Sequence, residues 1–183
     1  MAAETPVGDL GWKARDFSLV GTDGKTHTLE SVRGTNGTLV AFICNHCPYV
    51  KSVIGRIVRD VQDLKAAGIG AVAIMSNDTE SYSEDSFENM QAFAAQHDIR
   101  FPYVIDPTQE VARAYSAVCT PDFFGFNKDL ELCYRGRLDA SKTIPVEGAR
   151  RELYEAMVQI AKTGRGPDEQ ISSIGCSIKW RVA

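Results

Sequence analysis

Residues 38–44, Thr-Leu-Val-Ala-Phe-Ile-Cys, form a nearly unbroken apolar run of strand length. A strand buried on both faces needs such a run. It ends in Cys44-Asn-His-Cys47, with Pro48 directly after. Val50, Val53, Ile54, Ile57, Val58, Val61 and Leu64 then recur at helical spacing as one continuous stripe. Many of these residues are β-branched, so packing must hold this helix more than propensity does. Gly68 marks its end, and residues 69–75 are a second apolar run. Strand, amphipathic helix and strand in this order constrain the chain to a right-handed βαβ unit with parallel strands.

The flanking segments fit around that unit. Residues 17–20 and 26–29 alternate apolar and polar side chains across Asp23-Gly24, a strong hairpin signal. A helix is predicted in the second half of residues 76–98, where Phe87, Met90, Phe93 and Ala94 share a face; the acidic stretch at 78–88 reads as its solvated side. A short strand at 103–105 and a short helix at 108–115 follow. Residues 123–126 and 130–134 flank Asn127-Lys-Asp129 as a second hairpin. The last amphipathic helix is predicted over 146–162. The tail, 164–183, carries Ile171, Ile174, Cys176, Ile178 and Trp180, too much apolar surface to stay free. The prediction is one α/β domain over 1–183, a central mixed sheet flanked by helices, with an N-terminal hairpin extension (1–36) and a docked C-terminal tail.

The chemistry sits where the first buried strand hands over to its helix. Reaction sites of open α/β sheets lie at that carboxyl edge, and a helix N-terminus offers free N–H groups and partial positive charge. Both favour thiolate over thiol, so Cys44 is expected to be the reactive nucleophile and Cys47 its resolving partner. His46, between them, can donate to the Cys44 thiolate or carry positive charge beside it. That tuning predicts a more oxidising couple than a reductase has. Cys119-Thr-Pro121 precedes a strand, and an X–Pro bond there is a candidate cis peptide. The Thr120 backbone could then pair with an extended substrate segment by strand addition. Cys119, Cys176 and Lys179 are auxiliary candidates, with a buried inert thiol the simpler reading of Cys119 and tail docking that of Cys176. Cys133 reads as core filler, and Arg135 and Arg137 as a solvated strand end.

The bulk properties narrow the partners. A net charge of −4 with scattered basic residues offers no nucleic-acid or anionic-membrane footprint. Residues 1–12 lack the basic and apolar regions of a secretory leader, so a cytoplasmic address with resting thiols is expected. Five cysteines without a second C-x-x-C do not make a disulfide scaffold or a usual structural zinc site.

The chain resembles the thioredoxin superfamily, and within it the peroxiredoxin-like group labelled AhpC/TSA or thiol–disulfide oxidoreductase. The resemblance rests on Cys44-Asn-His-Cys-Pro-Tyr-Val50, Asp106 with Glu110-Val-Ala-Arg-Ala-Tyr115, Thr120-Pro-Asp122, Tyr134-Arg-Gly-Arg137 and Gly175-Cys-Ser-Ile-Lys-Trp180. It implies a thioredoxin-like fold in which Cys44 attacks, Cys47 resolves and Pro121 is the cis-proline opposite them. Peroxiredoxins resemble P-x-x-x-T-x-x-C around the peroxidatic cysteine; aligned on Cys47, those places hold Val40 and Cys44. Thioredoxins keep a buried acid six residues before the first cysteine, and Thr38 stands there, leaving His46 and Lys51 as substitute proton acceptors.

The leading expectation is an oxidoreductase with a redox-active Cys44–Cys47 disulfide and no other cofactor, exchanging with thiol- or disulfide-containing proteins or small thiols and recycled by a reductant. A thiol peroxidase oxidised first at Cys47 is the second. The third is a module binding copper or zinc through Cys44, His46, Cys47 and Cys119.

Overall fold

The computed structural model describes residues 1–182. The predicted βαβ unit consists of β4 (Gly37–Phe42), α2 (Pro48–Leu64) and β5 (Ile69–Met75), with β4 and β5 parallel. Before it come β1 (Ala2–Glu4), β2 (Ser18–Gly21), β3 (Thr26–Thr28) and α1 (Leu29–Val32). After it come α3 (Phe87–Gln96), β6 (Tyr103–Ile105), α4 (Glu110–Ala114), β7 (Cys119–Thr120), β8 (Asp122–Asn127), β9 (Leu132–Tyr134), α5 (Glu152–Thr163) and β10 (Ile174–Ser177).

Seven strands make a mixed sheet in the order β3-β2-β6-β5-β4-β8-β9, parallel through β4, β5 and β6 and antiparallel outside them. Every residue of β4 is buried, because both faces of the sheet are covered. Leu39 and Ala41 face one core with Ile57 of α2, Phe93 of α3 and Met157 of α5. Val40 and Phe42 face the other with Leu29, Tyr115 and Phe124. This is the period-two alternation of a strand at work between two packed layers. Gly68 ends the α2 segment in the left-handed region at φ 76, after a 3-10 turn. No helix among the described residues is long and apolar enough to cross a membrane.

Several boundaries differ from the sequence reading. Leu29 opens α1 rather than closing the hairpin, because the Thr28 hydroxyl accepts from Ser31 N and Ser31 Oγ from Thr28 N, a capping box. The last helix begins at Glu152, not 146. Residues ahead of it are pinned as a loop by α2: Arg56 donates to the Val146 carbonyl and Arg151 to Asp60 and Asp63. The tail docks. Ile178 is buried in the second core, and Arg113 lies 4.4 Å over the Trp180 ring. What the sequence did not indicate is a second sheet, ordered β1-β10-β7, in which the tail strand lies between residues from the start of the chain and the segment before Pro121.

Candidate active site

Cys47 is the N-cap of α2 and Pro48 its first residue, where a missing N–H costs no helical bond. Cys44 lies further back, in the loop that continues β4. Both sulfurs belong to fully buried residues, each 0% exposed. The Thr120–Pro121 bond is cis. Thr120 meets both cysteines: its hydroxyl is 3.4 Å from Cys44 Sγ, and its carbonyl accepts from the Cys47 thiol at 3.1 Å.

The Thr120 backbone is not an open edge for a substrate strand. It is paired with β10 of the same chain, in the register Cys176↔Thr120 and Ser177↔Cys119. A Cβ at Gly175 would sit 2.0 Å from the Thr120 carbonyl oxygen, so only glycine allows this approach. Ser173 Oγ donates to the Pro121 carbonyl at 2.7 Å, and Ser177 N to the Met1 carbonyl at 3.0 Å. Beyond the strand, Lys179 N donates to Asn77 Oδ1 at 2.9 Å, so this residue's backbone anchors the tail. On the other side of Pro121 opens a cleft of about 320 Å³ lined by Tyr49, Arg137, Asp139 and Ser173 among others.

A buried acid does stand beside the pair, supplied by Asp85. The solvated reading of residues 78–88 fails here, because Asp85 is 0% exposed. Its carboxylate accepts from Asn45 N and from Asn77 Nδ2, both at 2.8 Å, which holds the loop between the cysteines. His46 Nδ1 lies 2.7 Å from Asp85 Oδ2 but off the line of a well-formed hydrogen bond, and its ring stacks on Tyr82. His46 therefore answers to Asp85 rather than to the Cys44 sulfur alone. Lys51, the other substitute considered for a proton acceptor, is exposed.

Residues 10–137 match the model of the AhpC/TSA family. The chain belongs to that family. No curated protein matches it. Among solved structures, a conserved protein from Geobacillus kaustophilus is 45% identical, with 100% of this chain and 98% of that chain covered and a TM-score of 0.92. The thioredoxin domain of a thiol-disulfide oxidoreductase from Bacteroides vulgatus is 13% identical, covering 83% of this chain and 97% of that one, with a TM-score of 0.65. Peroxidoxin BcpB from Mycobacterium tuberculosis is 13% identical over 86% and 98%, with a TM-score of 0.63. The fold is thioredoxin-like.

Within this AhpC/TSA-family chain the two thiols interact with each other, so one of the pair holds its proton more tightly and the other less. Cys44 is pushed up, first by its hydrogen bond with Cys47, then by burial and the Asp85 charge. Cys47 is pulled down, first by the hydrogen bond from Cys44, and further by Cys176 and the Thr120 hydroxyl, against the cost of burial. The Thr120 carbonyl is the neighbour that favours its protonated form. α2 starts at Cys47 and not at Cys44.

The remaining candidates divide. Cys119 is buried, its thiol aimed at the Pro121 carbonyl at 3.5 Å, and burial pushes it up. Cys133 donates to the Glu131 and Gly164 carbonyls, away from the site. Arg135 is not solvated: it is buried against Asp122, at 3.1 Å, and lies 4.5 Å over the Phe124 ring. Burial raises Asp122, and the guanidinium opposes that. Arg137 pairs with Glu152 at 2.8 Å. The four soft-metal ligands considered do not converge. The atoms that do come together, within 4.8 Å, belong to Cys44, His46 and Asp85.

Proposed function

We propose that this protein is a thiol–disulfide oxidoreductase in which Cys44 and Cys47 cycle between dithiol and disulfide. The observation that carries the reading is the joint contact of both sulfurs with Thr120, next to Pro121. The family membership and the likeness in fold to a thiol-disulfide oxidoreductase support it. The partners are proteins or small thiols that carry a dithiol or disulfide, with a cellular reductant or oxidant closing the cycle, in a cytoplasmic setting. In the reduced state one sulfur of the pair attacks as thiolate and the other resolves, and the place of Cys47 at the N-terminus of α2 favours it as the attacker. Asp85 holds the intervening loop and His46, which is our reading of how the couple is tuned.

Reduction of insulin disulfides by dithiothreitol tests this. Cys44→Ser and Cys47→Ser are each expected to abolish catalysis; full turnover in Cys47→Ser sinks the reading. The potential, equilibrated against glutathione, is expected to be more oxidising than thioredoxin's, and a value as low as thioredoxin's overturns the tuning role of His46.

The acidified Cys47 at the start of α2 favours a second reading. Its thiolate would attack a peroxide oxygen to give a sulfenic acid, which Cys44 condenses to the disulfide with loss of water. Peroxide consumption that is lost in Cys47→Ser and kept in Cys44→Ser separates this reading from the first.

A further inference from the structure

We propose that Cys176 is a third redox-active thiol, which exchanges the disulfide with Cys47 and carries it between the buried pair and thiols outside. The proposal rests on the reading of Cys44 and Cys47 as a redox couple. It adds a residue beyond the matched family region, 10–137.

The first observation is access. Cys44 and Cys47 are each 0% exposed, whereas Cys176 is partly exposed. An outside thiol meets Cys176 before it meets either member of the pair. The second is register. Cys176 is the strand partner of Thr120, whose carbonyl accepts from Cys47 Sγ at 3.1 Å. Cys176 packs against the core cluster that contains Cys44 and Cys47. The third is fixation on both sides of the residue. Ser173 is bonded to Pro121 and Thr5, Ser177 to Met1, and Lys179 to Asn77. Gly175 brings the strand to the Thr120 carbonyl at a distance that a side chain would forbid. Cys119 and Cys133, by contrast, aim their thiols at backbone carbonyls.

The exchange needs no added oxidant. In the oxidised protein the Cys176 thiolate attacks Cys47 Sγ. The Cys44–Cys47 bond breaks, the Cys47–Cys176 bond forms, and Cys44 leaves with the electron pair and takes up a proton in place of the one Cys176 gave to solvent. Burial favours that neutral Cys44 thiol. An outside thiolate then attacks Cys176 Sγ, and Cys47 departs as the thiolate that its surroundings stabilise, a good leaving group. A second thiol of the same substrate attacks its own sulfur in the mixed disulfide, releasing Cys176. The net result is one substrate dithiol oxidised to a disulfide and Cys44 and Cys47 reduced. The substrate class is therefore a dithiol, in a protein or a small molecule. Burial pushes the Cys176 thiol up to about 11, so exchange through it quickens as pH rises.

The test is disulfide mapping by mass spectrometry on the full chain, oxidised with glutathione disulfide, quenched in acid and alkylated. Cys44→Ser and Cys44→Ala are expected to give a Cys47–Cys176 linked peptide; two folded variants without it overturn the proposal. Cys176→Ser is expected still to form Cys44–Cys47 but to be reduced by a small dithiol about tenfold more slowly than wild type or a Cys133→Ser control. An unchanged rate overturns the proposal and leaves the couple standing. Failure of Cys176→Ser to form Cys44–Cys47 overturns the couple itself, and the relay with it.

Discussion

The two sheets of this molecule are built on opposite principles. The seven-stranded sheet has two wholly buried strands, β4 and β8, between two apolar layers. The three-stranded sheet consists of strands of three, four and two residues drawn from both ends of the chain and from the segment before Pro121. The first holds most of the buried apolar side chains, and the second closes over Thr120 beside Cys47. Separating the two lets the cover be strained or moved without melting the scaffold, since local opening draws on the least packed parts of a structure.

The comparison breaks most visibly at Phe124. Its ring lies 5.7 Å from Phe42 and 5.6 Å from Tyr115, at the centre of one core. Phe124→Ala is expected to cost about 3–5 kcal/mol in denaturant unfolding; a loss no larger than that of a change in the small sheet refutes the division. Gly175→Ala is the counterpart. Its Cβ would collide with the Thr120 carbonyl, so β10 must shift, at about 1–3 kcal/mol. Iodoacetamide is then expected to label Cys47 faster than in wild type, and equal labelling means that β10 does not guard it.

Asp85→Asn is a smaller change. It places an amide among donors from Asn45 and Asn77, at about 1–2 kcal/mol, and removes a charge that raises Cys44. Ultraviolet thiolate titration is expected to show Cys44 becoming more acidic. A separate handle is pH dependence. Between the lowered value of Cys47 and the ordinary thiol range, the unfolded reduced chain holds a proton that the folded one has lost, so stability rises with pH. Above that range Cys44 keeps a proton that the unfolded chain releases, so stability falls. Unfolding midpoints of the reduced protein should peak near the ordinary thiol range, and a Cys44→Ala, Cys47→Ala double variant should flatten the peak.

The large sheet was legible because its signals are local: β4, β5 and the α2 stripe are each a run of neighbouring residues. The small sheet was not. β1 is Ala-Ala-Glu, which has no strand pattern, and its partner lies near the other end of the chain. The apolar residues of the tail announced docking but not pairing. Asp85 was hidden among Glu80, Glu84 and Glu88, identical in charge and all exposed; only the Asn45 and Asn77 contacts single it out. Arg135 looked like any surface cation, and its burial follows from Asp122, thirteen positions away. The C-x-x-C pair was plain to see, yet the start of α2 at Cys47 rather than at Cys44 was not.

The pairing of β10 with Thr120 also has a consequence in time. A ribosome finishes the cysteine loop, the Thr120–Pro121 segment and the strands of the large sheet before it makes residues 174–177. Long-range pairing of this kind is the slow part of folding. A newly made chain therefore passes through a stage in which the cysteine pair and Thr120 are made but the Thr120 edge is still unpaired.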